Sequence, residues 1–421
     1  MPILFLNKLR SRFVKPVKRV LFLTDNFPPE VNAPATRTYE HAREWVTKGF
    51  EVTVITCAPN FPHGKVYPGF KNKLISRAVK DGIKVIRVWT YITANEGFIK
   101  RILDYISFAV MAFLVGLWVR TDIIVATSPQ FFTAVAGRWL SFFKLRPWIM
   151  EVRDLWPESI SAVGAMNEGI IYKFLEWLEL RLYKSAKKII VVTDTFKSKI
   201  AERGIDSSKI DVHKNGVILD LFEPRPKDNV LMETNPQLKG KKVFAYIGTH
   251  GMAHGLSFIL NCLPKLKDSL PQAHFLFIGE GAEKENLLKQ ADDLQLTNVT
   301  FMPFVAKHEV VRYLSLMDVA LVNLKKSDTF KTVIPSKIFE AAALQKPILL
   351  GLEGETKGII ESYNAGTCFE PENEKDFIAQ CQTIIDKQNY REYQEGCQKL
   401  AEAFNRKQIA LQVLETITTD L

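Results

Sequence analysis

One stretch indicates the fold most clearly: Val243-Phe-Ala-Tyr-Ile-Gly-Thr-His-Gly-Met-Ala-His-Gly-Leu256. A short apolar run, Val243–Ile247, is followed at once by a loop that contains three glycines. This order is typical of a parallel strand that ends in a ligand-binding turn, because glycine lets the backbone approach a ligand closely. A single turn of this kind is weak evidence, since many domains have one. The fold class therefore has to be argued from the rest of the chain as well.

Similar apolar runs, rich in branched side chains, recur along the whole chain. They lie at Val20–Thr24, Val52–Thr56, Val85–Val88, Ile123–Ala126, Trp148–Val152, Ile189–Thr193, Val243–Ile247, His274–Ile278, Val299–Phe301, Val319–Val322 and Pro347–Leu350. Segments with helical periodicity, such as Thr36–Thr47 and Ile170–Lys184, lie between them. Alternation of strand and helix predicts an α/β fold in which parallel sheets are covered by helices on both faces.

A chain of 421 residues is too long for a single hydrophobic core. The alternation is interrupted once, over residues 223–240, which are polar, contain proline and lack periodicity. We interpret this stretch as a linker between residues 1–222 and residues 241–400, each of a size for one doubly wound, Rossmann-like domain. Ligands bind at the carboxyl ends of strands in such sheets, so two domains facing a central cleft are expected. Residues 401–421 are predicted to form a helix that packs back toward the first domain.

Composition excludes several classes of protein. The five cysteines form no C-x-x-C pair, which argues against a disulfide framework or a zinc site and favours a reducing cytoplasm. No nucleic-acid-binding motif accompanies the net charge of +10. No D-x-D pair or His/Cys cluster suggests a bound metal.

Two segments bear on membranes. Residues 1–16 form a basic arm, interleaved with apolar residues, that suits either an amphipathic segment on a membrane or a solvated arm. A cleavable signal is not expected, because the apolar run is too short. Ile106–Val119 is also shorter than the roughly 20 residues of a spanning helix, so a buried or half-buried helix is favoured over interfacial insertion.

The strongest local motif is Thr332-Val-Ile-Pro-Ser-Lys-Ile-Phe-Glu-Ala-Ala-Ala. A helix that begins near Ser336 presents free N–H groups and a positive dipole end, which suit a phosphate. Lys337 adds charge in a first turn where the dipole disfavours it, a conflict expected at a functional site. Glu340, about one turn further on, is placed to accept the hydroxyls of a ribose. The alternative is an ordinary amphipathic helix.

Further candidates follow other strands. In the glycine-rich loop, Gly248 and Thr249 are followed by His250 and His254, which are suited to donate to a phosphate. Arg153 and Asp154 follow the run that ends at Val152 and form either an ion pair or a site. The stiff, proline-rich loop after the first strand presents Asn32, Thr36 and Arg37 as possible donor or acceptor contacts.

With these motifs in order, the chain resembles the family 4 retaining glycosyltransferases of the GT-B fold. More narrowly, it is similar to the WbuB-type branch that builds bacterial surface polysaccharides. The resemblance covers nearly the whole chain. It is carried by the motifs PPEVNAPATR, VRDLWPES, HKNGV, GTHGMAHGL, FIGEGAEKENL, LSLMDVALV and TVIPSKIFEAAA.

The resemblance assigns roles to several residues. Glu340 matches the second glutamate of the family's E-x7-E motif, the segment 335–337 matches the phosphate-binding helix start, and Gly248 matches the glycine of the donor loop. The chain also departs from the pattern. The first glutamate falls on Thr332, the arginine and lysine of the donor loop fall on Thr249 and His254, and a histidine near the sugar falls on Arg153. We therefore expect Lys337, with His254, to supply charge to the diphosphate, and Asp154 and Arg153 to be the catalytic pair.

The implied activity is a metal-independent, cofactor-free transfer with retention, from a UDP-sugar held by the C-terminal domain. The sugar would be an N-acetylated deoxyamino hexose such as N-acetyl-L-fucosamine, and the acceptor a polyprenyl-diphosphate-linked saccharide or another glycan. Localisation on the inner face of the cytoplasmic membrane is expected, with no nucleic-acid partner. A nucleotide-sugar epimerase of the same fold and a non-catalytic, membrane-associated scaffold of a polysaccharide assembly complex are the alternatives.

Overall fold

The computed structural model describes residues 18–61, 63–93, 98–128, 130–158, 169–305 and 309–419, apart from the side chains of residues 98 and 99. The basic arm of residues 1–16 lies outside these ranges. The chain divides into two compact units, Met1–Lys214 with Lys407–Leu421, and Asn215–Arg406. The first unit is therefore built from two separate parts of the sequence.

The first unit contains an eight-stranded sheet in the order β3-β4-β2-β1-β5-β6-β7-β8. Every neighbouring pair is parallel except β3 and β4, which are antiparallel. The strands are β1 Arg19–Leu23, β2 Glu51–Cys57, β3 Ile75–Lys80, β4 Ile83–Val88, β5 Ile123–Thr127, β6 Trp148–Val152, β7 Lys188–Val191 and β8 Ile210–Val212. Strand β3 was not predicted, because its outward-facing side chains leave no apolar run.

Helices cover this sheet. In chain order they are α1 Ala33–Thr47, α2 Phe98–Gly116, α3 Phe131–Lys144, α4 Ile170–Ser185 and α5 Asp194–Glu202. Helices α2, α3 and α4 share one core with the strands, through residues such as Phe108, Leu140 and Leu182. The expected helix over Ile106–Val119 overlaps the second half of α2, which ends at Gly116 and is buried on its inner side and exposed on its outer side. In the described part of the chain, no helix combines the length and the apolar character needed to cross a membrane.

The second unit contains a six-stranded, wholly parallel sheet in the order β11-β10-β9-β12-β13-β14. Its strands are β9 Lys242–Ile247, β10 Ala273–Ile278, β11 Val299–Met302, β12 Val319–Asn323, β13 Ile348–Gly351 and β14 Gly366–Cys368. Its helices are α6 Asn229–Thr234, α7 Leu256–Ser269, α8 Lys284–Asp293, α9 Val310–Leu314, α10 Lys337–Ala343, α11 Glu355–Tyr363, α12 Glu374–Ile384 and α13 Lys387–Ala403. Separate apolar cores lie on the two faces of this sheet.

The units differ from the expected boundaries in two places. Residues 223–240, expected to be a linker, belong to the second unit and contain α6, whose Leu231 is buried in the core. The last helix, α14 Arg406–Thr418, is separate from α13 and, from Lys407 onward, belongs to the first unit. There the Trp45 indole N–H donates to the Ala410 carbonyl at 2.7 Å.

Candidate functional site

The candidate donor loop follows β9 and packs backbone to backbone on the loop that follows β10. Because β9 and β10 are parallel neighbours in register, their turns lie side by side. The Gly248 N–H donates to the Ile278 carbonyl at 2.9 Å, and the His250 N–H donates to the Glu280 carbonyl at 2.8 Å. A Cβ atom on Gly279 would collide with the Gly248 carbonyl, so the approach requires glycine. No role was predicted for Gly279 from the sequence, although a glycine directly after a buried strand is a signal of a close backbone approach.

Lys337 reaches from the start of α10 to this loop. Its ammonium nitrogen lies 3.9 Å from the centroid of the Tyr246 ring, and a Cβ atom on Gly248 would meet that nitrogen at 2.5 Å. The Tyr246 hydroxyl donates to the Thr249 carbonyl at 2.7 Å, which holds the ring beneath the loop. Burial lowers the pKa of Lys337 to about 8, although Glu340 opposes the shift. The site therefore holds a cation that is poorly hydrated, and an anionic ligand would compensate for the lost water.

Glu340 lies on the same helix, three residues beyond Lys337. Positions three apart share a face of a helix, so the ammonium and the carboxylate lie on the same side of α10. Glu340 is half-buried. Ser336 occupies the cap position, but its exposed hydroxyl makes no capping bond. Of the predicted donor-binding residues, the structure thus brings together Gly248, Thr249, Lys337 and Glu340, with Ser336 at the helix start.

The two histidines of the loop have a different environment from the one expected. His250 is fully buried among the rings of Tyr246, Phe277 and Phe301, and neither of its ring nitrogens has a hydrogen-bond partner among the described residues. Burial lowers the pKa of His250 to about 4, and nearby lysines add to the shift. Burial, with the charge of Lys337, also lowers the pKa of His254 to about 4. Both histidines are therefore neutral at neutral pH, and the positive charges acting on the loop include those of Lys337 and Lys284.

Asn323 fixes the far end of the donor loop. It is the last residue of β12, and its side-chain amide donates to the His254 carbonyl at 2.8 Å. Its amide oxygen is buried and has no partner among the described residues. A Cβ atom on Gly255 would meet the Asn323 amide nitrogen at 3.1 Å, which explains glycine there together with its left-handed φ of +58°. No role was predicted for Asn323 from the sequence, although a polar residue at the end of a buried strand is a signal of a ligand-binding site.

In the first unit, a buried ion-pair network lies where β6 ends. The Arg37 guanidinium donates to Glu151 and to the Thr127 hydroxyl, both at 3.1 Å, and Arg153 lies 3.8 Å from the other Glu151 oxygen. Burial alone would raise the pKa of Glu151, but the charges of Arg37 and Arg153 outweigh it and the pKa is lowered. Arg37 was expected to be a possible ligand contact and is instead 6% exposed in this network. No role was predicted for Glu151 from the sequence.

Asp154 lies at the protein surface beside this network. No hydrogen bond or ion pair to its carboxylate is found among the described residues, so the expected direct pairing with Arg153 is replaced by the Arg153–Glu151 contact. Partial loss of hydration raises the pKa of Asp154, while the charges of Arg153 and Arg37 oppose the shift. An exposed carboxylate with a raised pKa and two nearby cations is suited to contact a substrate hydroxyl.

Asn32 and Thr36 have local roles. The Asn32 side chain accepts from the Ala35 N–H at 3.0 Å and donates to Asn26 at 2.6 Å, so it caps α1. The Thr36 hydroxyl lies 3.4 Å from the Val31 carbonyl. Capping residues of this kind are selected for the helix itself, so the contacts give Asn32 a structural reason to be present.

The residues described do not include any group of three His, Cys, Asp or Glu side chains placed to hold a metal ion. The absence of a metal and a cofactor from the reaction stays a prediction. That prediction rests on the resemblance to family 4 glycosyltransferases and on the position of Lys337 at the donor loop.

Two family models match the chain, one in each unit. Residues 32–216 match the model described as "Glycosyl transferase 4-like domain". Residues 229–402 match the model described as "Glycosyl transferases group 1". The second range contains the donor loop and α10, and the first contains the Glu151 network.

Relatives and solved structures agree with these matches. The probable glycosyltransferase WbjE of Pseudomonas aeruginosa is 28% identical over 222 residues, which is 52% of this chain and 55% of WbjE. The putative colanic acid biosynthesis glycosyl transferase WcaI of Escherichia coli K12 is 23% identical, over 86% of this chain and 90% of WcaI. The Anabaena Alr3699/HepE structure in complex with UDP superimposes with a TM-score of 0.69 at 16% identity, over 95% of this chain and 100% of HepE. The fold class predicted from the sequence is thereby confirmed.

Proposed function

Because residues 32–216 and 229–402 match glycosyltransferase family models and the fold is GT-B, we propose that the chain is a glycosyltransferase that transfers a sugar from a UDP-sugar to an acceptor during synthesis of a bacterial surface polysaccharide. One observation carries the donor assignment: the Lys337 ammonium lies on Gly248, with Glu340 on the same face of α10. The resemblance to the WbuB-type branch and the match to WcaI support the polysaccharide role.

The donor fits these residues chemically. Lys337 neutralises the diphosphate, and the Glu340 carboxylate accepts hydrogen bonds from the ribose hydroxyls. When the bond between the anomeric carbon and the diphosphate oxygen breaks, negative charge grows on that oxygen. A desolvated ammonium placed there stabilises the charge without a metal, because electrostatic interactions are stronger where water is excluded.

The transfer itself is proposed to retain the configuration of the anomeric carbon. An acceptor hydroxyl forms the new glycosidic bond, and its proton passes to the departing diphosphate oxygen, while UDP leaves with the electron pair of the broken bond. Asp154 contacts the sugar or the acceptor, and Arg153 binds beside it. Arg153 stays protonated at neutral pH, so it cannot act as the base.

The proposed donor sugar is an N-acetylated deoxyamino hexose such as N-acetyl-L-fucosamine, following the WbuB-like resemblance. The proposed acceptor is a saccharide linked to polyprenyl diphosphate, at the inner face of the cytoplasmic membrane.

A panel of radiolabelled UDP-sugars, offered with and without a lipid-linked saccharide, tests the proposal. Transfer of label to the lipid with release of UDP is the expected result. Interconversion of the UDP-sugar without any acceptor would instead identify an epimerase. Thermal stabilisation by UDP without turnover of any donor would favour the scaffold.

A further inference from the structure

Large apolar side chains are exposed along one side of the first unit. They lie on the outer sides of α2, α3 and α4 and on the turns that follow α2 and α3, and each is between 40% and 90% exposed. We call this surface the three-helix face. It is formed by Leu103, Ile106, Val110, Leu114, Trp118, Trp139, Phe142, Phe143, Leu145, Ile170, Ile171, Phe174 and Trp177.

The helices that form the three-helix face are neighbours. Helix α3 packs between α2 and α4 on the same side of the sheet. The Phe113 ring of α2 lies 5.6 Å from the Phe143 ring of α3, and Phe142 lies 5.4 Å from Phe143. On α4, Phe174 and Trp177 stack at 5.8 Å.

These helices are apolar on both sides, although the core needs only one. Phe108, Leu140 and Leu182 already fill the inner side and are fully buried. Water-exposed proteins rarely keep a large contiguous apolar patch unless it binds something. The outer side therefore has a function of its own.

Basic residues outnumber acidic residues around the face. Basic residues on the three helices and the adjoining turns are Lys100, Arg101, Arg120, Arg138, Lys144, Arg146, Lys173, Arg181, Lys184 and Lys187. Of the three acids on these helices, Glu179 is buried and pairs with Arg203, which also pairs with Glu176. Burial raises the pKa of the third acid, Asp104, to about 7. The surface thus presents aromatic and aliphatic groups within a positively charged rim.

We propose that the three-helix face docks on an anionic lipid surface. Tryptophan and phenylalanine rings enter the interfacial region, while the lysine and arginine stems extend along the apolar surface to reach lipid phosphates. The inference deepens the proposed function, since it names the surface that brings the enzyme to its lipid-linked acceptor. Its evidence is independent of the donor site.

Charge favours an anionic membrane over two other candidates for covering the three-helix face, a second copy of the chain and the N-terminal arm. A second copy of the chain would bring one basic rim against another, which is electrostatically unfavourable. The N-terminal arm is also basic, with Lys8, Arg10, Arg12 and Lys15, and meets the same objection. A membrane that contains anionic lipid complements both the apolar centre and the rim.

Vesicle co-sedimentation of the full chain tests the proposal. The test variant is Trp118→Ser with Phe142→Ser and Phe174→Ser, one residue from each helix or its following turn, at 90%, 68% and 56% exposure. The matched control is Leu74→Ser with Val79→Ser in the same unit; Leu74 immediately precedes β3 and Val79 lies within it, and they are 67% and 73% exposed. Vesicles contain phosphatidylglycerol with phosphatidylethanolamine, or phosphatidylcholine alone.

We expect wild type and control to bind phosphatidylglycerol vesicles, and the test variant to partition at least about tenfold less. Raising the ionic strength from about 0.1 M to about 1 M should weaken wild-type binding, because screening shortens from roughly 10 Å to roughly 3 Å. Affinity for UDP and the unfolding temperature should be unchanged in all variants. UDP binding is thus measured separately from lipid binding, so a failure of one proposal can be distinguished from a failure of the other.

Three results would overturn the proposal. The test variant could bind vesicles as wild type does. Deleting residues 1–16 could abolish vesicle binding that the test variant retains, which would assign the anchor to the arm. Finally, wild type could ignore vesicles and form dimers that the test variant does not form, which would make the face an interface between two copies.

Discussion

The Lys337 ammonium is the most informative single group of the second unit. It is desolvated against Tyr246 and Gly248, and its pKa is lowered to about 8. A bound diphosphate favours the protonated form, so binding at high pH must take up a proton. UDP affinity is therefore expected to fall above pH 8, by up to about tenfold per pH unit. Calorimetry across pH checks this, with Lys337→Met as a variant that lacks the titrating group. A wild-type affinity that is constant from pH 7 to pH 10 would contradict it.

Glu340 gives a second prediction at this scale. An amide accepts hydrogen bonds from ribose hydroxyls less strongly than a carboxylate does, so Glu340→Gln should weaken UDP binding by about 1.5–3 kcal/mol. The control is Glu361→Gln on the neighbouring helix α11, an exposed residue beside Lys357. Calorimetry with UDP compares the two. Unchanged affinity in Glu340→Gln would remove the residue from the donor site.

The prediction for Asp154 concerns the rate of turnover rather than the affinity for the donor. Its carboxylate is exposed and its pKa is raised. Asp154→Asn is expected to lower kcat much more than it lowers UDP affinity, because the interaction is made mainly in the transition state. Arg153→Lys keeps the charge but loses the planar fork, so a milder defect is expected. Glu158→Gln, an exposed neighbour paired with Lys199, is the control. Transfer at the wild-type rate by Asp154→Asn would show that it has no catalytic part.

Single-residue predictions rested on local signals. Lys337 was predicted because a lysine in the first turn of a helix is locally unfavourable, and Glu340 because it lies about one turn beyond Ser336. Their roles in donor binding stay predictions. Glu151 was missed because its partner Arg37 lies 114 residues away, and no local pattern reveals such a pairing. His250 was expected to donate to a phosphate, but it is buried among aromatic side chains from three strands, which no local pattern reveals.

At the scale of elements, apolar runs located the buried strands of both sheets to within a residue or two. Strands whose residues are exposed or very few, such as β3, β8 and β14, carry no such run and were missed. The helix predicted over residues 401–421 does not show the break between α13, which ends at Ala403, and α14, which begins at Arg406. That break is made by a distant segment, because the Arg406 N–H donates to the Val217 carbonyl at 2.9 Å.

The contact between the donor loop and the loop after β10 gives a prediction for an element. Gly279 has a φ of +145°, and a Cβ atom there would collide with the Gly248 carbonyl. Gly279→Ala should lower the free energy of unfolding by about 1–3 kcal/mol and displace the donor loop. Gly358→Ala, where a Cβ atom meets nothing within 4 Å, should be neutral or slightly stabilising. Thermal unfolding and UDP titration measure both, and equal behaviour of the two variants would refute the packing argument.

For the whole molecule, the interruption of strand and helix alternation indicated two units but placed the boundary too late. The second unit already begins at Asn215, because Val217 and Leu231 are part of its core. The sequence also predicted a terminal helix that packs back toward the first domain, and the structure assigns Lys407–Leu421 to the first unit. Hydrophobic periodicity reports that a helix is amphipathic, but not which sheet it covers.

The central claim is that the second unit binds the diphosphate of a nucleotide-sugar through Lys337. Calorimetry of the full chain with UDP and with uridine, for wild type and Lys337→Ala, tests it most directly. The account predicts that Lys337→Ala weakens UDP binding by about tenfold or more and leaves uridine affinity nearly unchanged, since only UDP carries the charge that the lysine contacts. Equal losses for both ligands, or no loss for UDP, would contradict it.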